Sequence, residues 1–411
     1  MNLGTQEENM MTIVSAEIRV KASPAQAYRA FTNATALREW LCDVATVEAH
    51  PRGRMYLWWN GDFYSSGHYL ELEENKRARF RWYSSIDPAP TEVEVSFGQQ
   101  DGGTLVRMDH HVPDDPAWAK LAEGFRKNWQ DSLENLQSVL ETGLDLRIAN
   151  RPMIGITLND FSSEIAARLG VPVHEGLRLS GVVDGMGAQA AGLQADDVLV
   201  EVEGHRIGND FGSFVVAIQG KKGGDTVNLV LYRGAEKKMI TMRLSKRPMP
   251  DVPFDRAELA KRARAVVYPK VEAVEQAFAG YSDAEAATRP QPEDWSALEV
   301  VAHLIHNERV TQDFFATLVT GAERVSDGGG ANVDSQVRAT LATYPSSKEM
   351  LGELRRSVEE TLRMAELLPQ DFVLNRGSFY RVGQALLQAD VHFDGHLAQL
   401  QAALASARQA A

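Results

Sequence analysis

A chain of 411 residues, 44% hydrophobic and 24% charged, has the composition of a soluble globular protein and the length for two to four domains, each with its own core. A formal net charge of −13 argues against nucleic acid as a partner, because phosphate-backbone binding needs clustered Lys and Arg. The single cysteine, Cys42, excludes an internal disulfide and a cysteine-rich zinc module. No apolar run reaches the length of a membrane span, and the first residues, Met1 to Asn9, are polar and acidic, so a cytoplasmic protein is expected. The charge is uneven: residues 1–150 carry −7, 151–250 carry +1 and 251–411 carry −7.

In the first segment, about 12–146, Thr12–Val20 alternates as a strand. Ser23-Pro24 then reads as an N-cap followed by proline at the first helical position, opening a helical stretch to Trp40. Strands follow near 55–59, 64–72, 78–83, 92–97 and 104–108, with Asp101-Gly102-Gly103 as a hairpin turn. His110-His111 reads as an exposed strand end. A long amphipathic helix, Ala117–Glu141, closes the segment at Gly143. This order describes an α+β helix-grip, a curved antiparallel sheet around its last helix.

The run Ala22–Phe31, then Leu37-Arg-Glu-Trp40, and later Gly124, Trp129, Leu133, Leu136 and Leu140–Gly143 resemble the START-like superfamily. The resemblance is strongest to the branch related to the activator of the ninety-kilodalton heat-shock chaperone ATPase. It implies a pocket for an apolar small molecule or a surface for a protein client, and no single chemistry. Trp82, Phe125 and Trp129 are the candidate pocket residues; each also suits a plain core position.

In the second segment, about 151–247, Arg151–Leu158, which contains Met153-Ile-Gly-Ile156, leads to a helical Phe161–Leu169 and a short strand Leu177–Val183. Ala188–Gly204 reads as a small-residue helix, Gly-Leu, and an acidic turn into a strand ending in Gly. The pattern resembles a PDZ domain of the bacterial protease-associated kind, with Asp196 where the family usually has Gly and Glu203 where Asn or Asp is usual. Such a domain binds a peptide C-terminus by strand addition, its carboxylate held on backbone N–H groups. The resemblance places Ile154, Gly155 and Ile156 at the carboxylate loop and Phe214, Val215 and Ile218 on the opposite wall. The partner is a separate protein's apolar C-terminus or, alternatively, part of this same chain such as the tail Ala405–Ala411. No protease triad accompanies the domain.

Lys246–Pro253, with three prolines in six positions, is a linker. The pattern beyond it is helical, with helices expected near 255–279, 295–320, 346–367 and 382–408 and a loose loop at Gly328–Gly330, hence an all-α four-helix bundle. His392 and His396 are one helical turn apart, on a helix whose Val391, Phe393, Leu397, Leu400 and Leu404 lie mostly to one side, and His303 and His306 share an earlier helix. Two imidazoles at that spacing suit a metal ion, although they also suit histidines that only pack.

Trp295–Leu304 with Glu308-Arg309, and His392-x3-His396 with Leu400, resemble the DinB-like metal-dependent bundles. The resemblance implies His303, His392 and His396 as ligands of a divalent ion, zinc or nickel, with His306 off the ligand position. Some relatives are thiol-dependent transferases. Asp390, Asp394 and Glu308 are candidate acceptors for imidazole N–H groups, and Glu308 is the one candidate general base. Two functions therefore stand: a cytosolic multidomain binding protein, or a metal-dependent enzyme of the transferase or hydrolase kind.

Overall fold

In the computed structural model, which describes residues 11–61, 63–292, 294–323 and 334–410, the chain begins with strand β1 (Met11–Val20). The polar start Met1–Asn9 and the run Gly328–Gly330 lie outside the described residues. Ser23 and Gln26 form a capping box at the start of α1 (Pro24–Thr32), and the Asn33 side chain caps α2 (Ala34–Trp40). Strands β2 (Val44–Val47), β3 (Arg54–Trp59), β4 (Phe63–Glu73), β5 (Arg77–Ser84), β6 (Thr91–Gln100) and β7 (Gly103–Pro113) complete an antiparallel sheet in the order β1-β7-β6-β5-β4-β3-β2. Helix α3 (Pro116–Thr142) is capped by Asp115 and stopped by Gly143 at φ 73°. Its buried face, including Trp129, Leu133, Leu136 and Val139, packs into a core shared with the sheet.

One expectation fails here. β7 runs on to Pro113, so His110 lies inside the strand and is fully buried. Strand alternation turns it to the core between Met108 and Val112, whereas His111 stays partly exposed.

The chain divides into two compact units, Leu146–Met249 and the remainder. The smaller unit contains α4 (Leu146–Ala149), β8 (Ile156–Asn159), α5 (Ser163–Leu169), β9 (Leu177–Val182), α6 (Gly187–Ala190), β10 (Val198–Val202), β11 (His205–Arg206), α7 (Phe211–Ala217), β12 (Thr226–Arg233) and β13 (Glu236–Arg243). Its sheet order is β13-β12-β10-β9-β8, with β11 paired to β10, so β8 is an edge strand. Buried Asp197 anchors it, gripped by Arg233 at 2.7 and 2.8 Å and accepting from the Gln194 N–H at 2.9 Å.

In the larger unit the helix-grip segment is joined by helices α8 (Arg256–Ala277), α9 (Asp283–Ala286), α10 (Ala297–Thr320), α11 (Asp334–Thr343), α12 (Ser347–Glu366), α13 (Arg376–Leu387) and α14 (Ala389–Ala410). Helices α8, α12, α10 and α14 neighbour one another in that cyclic order, a four-helix bundle. The helix expected over 382–408 is two helices, broken at Gln388. Val391 is 73% exposed, so the inward stripe of α14 starts at Phe393 and continues through Leu400 and Leu404.

Helix α13 docks against α2 and α3. Gly377 packs so closely on Glu39 that an added Cβ would lie 2.4 Å from its Oε2, and Ser378 Oγ donates to Glu39 Oε1. Next to them Glu323 accepts from Arg381 at 2.6 and 2.9 Å and from Arg38 at 3.0 Å. Burial pushes the Glu39 carboxyl up to about 7, opposed by the Ser378 hydrogen bond and by Arg29 and Arg381, while Glu323 adds to the rise.

Because the folded state raises this pKa above the unfolded value of 4.5, Glu39 binds its proton more tightly when folded. Its contribution is complete below pH 4.5 and is lost as pH rises through about 7, an effect on the order of 3 kcal/mol. Thermal unfolding followed from pH 5 to 8 should show the midpoint falling as pH rises, and Glu39→Gln should flatten that slope. An unchanged slope in the variant would assign the pH dependence to other groups.

Candidate metal centre

A capping box fixes the start of α10: Ser296 Oγ accepts from the Glu299 N–H at 3.3 Å, and Glu299 Oε2 accepts from the Ser296 N–H at 2.8 Å. Arg289 holds the Glu299 carboxylate from outside. One turn further on, His303 is 6% exposed and faces His392 and His396 of α14. The ring centroids are 5.3 Å apart for His303–His392, 4.6 Å for His303–His396 and 4.5 Å for His392–His396. One nitrogen from each ring lies within 4.8 Å of the other two. His303 Nε2 and His392 Nε2 are 3.2 Å apart. Two nitrogens on one tetrahedral zinc, each 2.0–2.1 Å from it, are separated by roughly 3.3 Å. The three residues therefore fit a small divalent ion.

The surroundings support the ligand role. His396 Nδ1 lies 2.9 Å from Gln399 Oε1. An amide oxygen only accepts, so Nδ1 carries the hydrogen and Nε2 keeps its lone pair. Burial, and then the charge of His396, hold His392 below the usual histidine range and favour its neutral, metal-binding form. His392 Nδ1 is buried with no hydrogen-bond partner among the described residues.

His306, one turn beyond His303, is partly exposed and stands outside the cluster; burial and then Arg309 lower its pKa. Of the expected imidazole acceptors, Asp394 is taken by Lys270 at 2.7 Å to both oxygens, and Asp390 accepts from the Val391 N–H at 3.0 Å. The acceptor that does serve, Gln399, was missed; its position three residues after His396 was the available signal. Glu308 is 7% exposed, and burial raises its pKa against a Thr361 hydrogen bond. It and His392 line one partly open cavity of about 230 Å³.

In the smaller unit Gly155 has φ 78°, and a Cβ there would come within 2.3 Å of the Met186 side chain. Only glycine suits both constraints. Ile154 is buried, its carbonyl accepting from the Ala188 N–H at 3.0 Å, and Ile156 pairs with Val182 at the start of β8. On α7, Phe214 is 2% exposed and belongs to the core, Ile218 is partly buried against that core, and Val215 is half exposed. The apolar surface of α7 is thus carried by Phe211, Val215 and Val216 rather than by Phe214.

Trp82, Phe125 and Trp129 are each more than nine-tenths buried and surround His110. Trp129 Nε1–H donates to His110 Nδ1 at 3.1 Å, and Thr91 Oγ1 lies 2.7 Å from His110 Nε2 while donating to the Trp82 carbonyl at 3.1 Å. His110 Nε2 therefore carries the hydrogen. Burial, with His111 adding, pushes its pKa down to about 3, so the ring stays neutral.

Residues 21–141 match the family described as activator of Hsp90 ATPase homolog 1-like protein, 152–244 match the PDZ domain, and 271–409 match the DinB superfamily. The chain is thus a helix-grip domain of the Hsp90-activator type, a PDZ domain and a DinB-type helical domain, in that order. A probable periplasmic serine endoprotease, DegP-like, of Marinomonas sp. (strain MWYL1) is 26% identical over 99 residues, which are 24% of this chain and 21% of that protein. The chain thus spans about a fifth of that relative's length. Among solved structures, the Aha1 dimer of Colwellia psychrerythraea is 20% identical, covering 32% of this chain and 96% of that one, with a TM-score of 0.29. CalU16 of Micromonospora echinospora is 20% identical, covering 31% and 73%, with a TM-score of 0.27. No helix among the described residues is long and apolar enough to cross a membrane.

Removing one imidazole should release the ion. Elemental analysis of protein loaded with zinc or nickel should give roughly one ion per chain, falling close to zero in His392→Ala and His303→Ala. His306→Ala should keep the metal. Equal metal content in all four proteins would remove the site.

Proposed function

We propose that this is a multidomain binding protein. Its bundle holds a divalent ion, zinc or nickel, through His303, His392 and His396. Its PDZ domain takes the apolar C-terminus of a partner protein, and its helix-grip domain receives an apolar small molecule or a protein client. The observation that carries the metal role is the convergence of three imidazoles from two helices, with Gln399 Oε1 orienting the His396 ring. The peptide role is supported by β8 lying at the sheet edge directly after Gly155, where backbone groups remain for an added strand. Within this reading the peptide contacts are Ile154, Gly155, Ile156, Val215 and Ile218, and the small molecule reaches the helix-grip core near Trp82, Phe125 and Trp129. A cytoplasmic location belongs to the same proposal, on the ground that one cysteine leaves no internal disulfide to form.

The buried Glu308 gives a second reading a specific footing. An ion held by three neutral imidazoles keeps open positions and can acidify a bound water or thiol. Glu308, in the wall of a cavity that His392 also lines, is placed to hold or return a proton there. On that reading the protein is a metal-dependent enzyme of the transferase or hydrolase kind, and the other domains bring its substrate.

The peptide role has a direct test. Labelled peptides ending in apolar residues should bind the full chain in fluorescence anisotropy, and a charged residue added after the terminal one should abolish binding. Gly155→Val should weaken it by roughly tenfold or more, because a β-branched residue is excluded from φ 78° and its Cβ strikes Met186. Helix α14 extends through Ala410, so the tail would have to unwind to serve as the ligand. Peptide binding that appears only after the last four residues are deleted would show a self-occupied groove instead.

A further inference from the structure

The partly open cavity between the bundle helices and α13 is about 230 Å³ and shares His392 with the imidazole cluster. Its wall is of two kinds. Asn307, Glu308 and Thr311 from α10 and Thr361 from α12 contribute amide, carboxyl and hydroxyl groups. Val358 and Leu362 of α12, Leu386 of α13 and Phe393 of α14 contribute apolar surface. Neither Lys nor Arg lines it, and its one acid, Glu308, is buried.

An ion on three neutral imidazoles would bring two positive charges to this wall with no counter-charge from a ligand residue. His303 is buried and His392 and His396 are partly buried, so a charge held among them favours a partner, which an anionic ligand group supplies. The apolar wall accepts hydrocarbon. A carboxylate suits the polar wall better than a one-atom anion, because one oxygen can meet the ion while the other accepts from the Asn307 amide in the same wall. Since a cavity of roughly 150 Å³ holds benzene, this one has room for a tail of about six to eight carbons.

We propose that this cavity is the ligand chamber of the metal centre and that it takes a small amphipathic carboxylate, with its head toward the ion and its alkyl or aryl tail among Val358, Leu362, Leu386 and Phe393. The inference rests on the metal reading above and adds the class of ligand.

The test uses the full chain loaded with Co²⁺, whose visible absorption reports its coordination, together with calorimetric titration of acetate, butyrate, hexanoate and dodecanoate. Each acid that binds should shift the cobalt spectrum. Affinity should rise by up to roughly fourfold per buried methylene from acetate to hexanoate, then stop rising or fall once the tail outgrows the cavity. Chelated protein should bind hexanoate at least tenfold more weakly. Ala385→Phe, which places a ring in the chamber at a position that is not a metal ligand, should lose hexanoate binding while keeping cobalt. The length series on the unaltered protein stands even if that variant misfolds. Cobalt retained with equal affinity for acetate and hexanoate, or with equal hexanoate binding after chelation, overturns the chamber and leaves the metal site standing. Cobalt not retained at all overturns the metal reading and the chamber with it.

Discussion

Glu323 is the point on which the larger unit turns. Its side chain is 9% exposed and is held by Arg381 from α13 and by Arg38 from α2, while its own N–H donates to Thr35 Oγ1 at 3.2 Å. Three partly buried charges together gain little net stability, since desolvation offsets much of the attraction. Their consequence is geometric, because each is costly to leave without the others. They set α13 on the helix-grip domain in one register, with Gly377 against Glu39 and Ser378 bonded to it. Since α14 follows α13 after Gln388 alone, that register also bears on where His392 and His396 meet His303.

The elements were legible in the sequence where one local rule governs them. The Ser23-Pro24 start, the Gly143 stop, the long apolar stripe of α3 and the four bundle helices all follow from caps and periodicity. The histidine cluster was legible because His392 and His396 declare themselves at one-turn spacing. His303 needed the family resemblance, since nothing in its own helix separates it from His306. Burial decides between those two, and burial on α10 depends on helices that are distant in sequence.

What escaped the sequence depends on pairing at long range. His110 follows a polar Asp109 and precedes His111 and Pro113, which reads as an exposed strand end. Its partners, Thr91, Trp129 and Phe125, come from another strand and from α3. The break at Gln388 was invisible because neither proline nor glycine marks it. Its cause is tertiary: α13 follows the helix-grip surface and α14 follows the bundle. In the PDZ domain two departures from the usual residues carry their own explanation. Asp196 and Glu203 sit at φ 67° and 51°, where glycine or asparagine is easier. Each is compensated: Asp196 accepts from Arg178 at 2.6 and 2.8 Å, while Glu203 accepts from the Asn228 N–H at 2.6 Å and from Lys221 at 3.0 Å.

The acidity of the chain sharpens the meaning of the histidine cluster. An acidic bundle offers many carboxylates, and a loosely held cation would find them anywhere on its surface. Around this cluster Asp390 accepts from the Val391 N–H, and other acids of the bundle are paired. Asp394 is bound to Lys270, Glu299 to Arg289, and Glu353 to Arg309 and Arg356. Glu308 is buried, with a pKa raised by that burial. Imidazole nitrogen is the donor that His303, His392 and His396 together offer a metal ion here. Three neutral imidazoles would leave the positive charge of such an ion unbalanced by its own ligands. Any third party that completes the site must then carry the compensating charge itself, or lose a proton to acquire it.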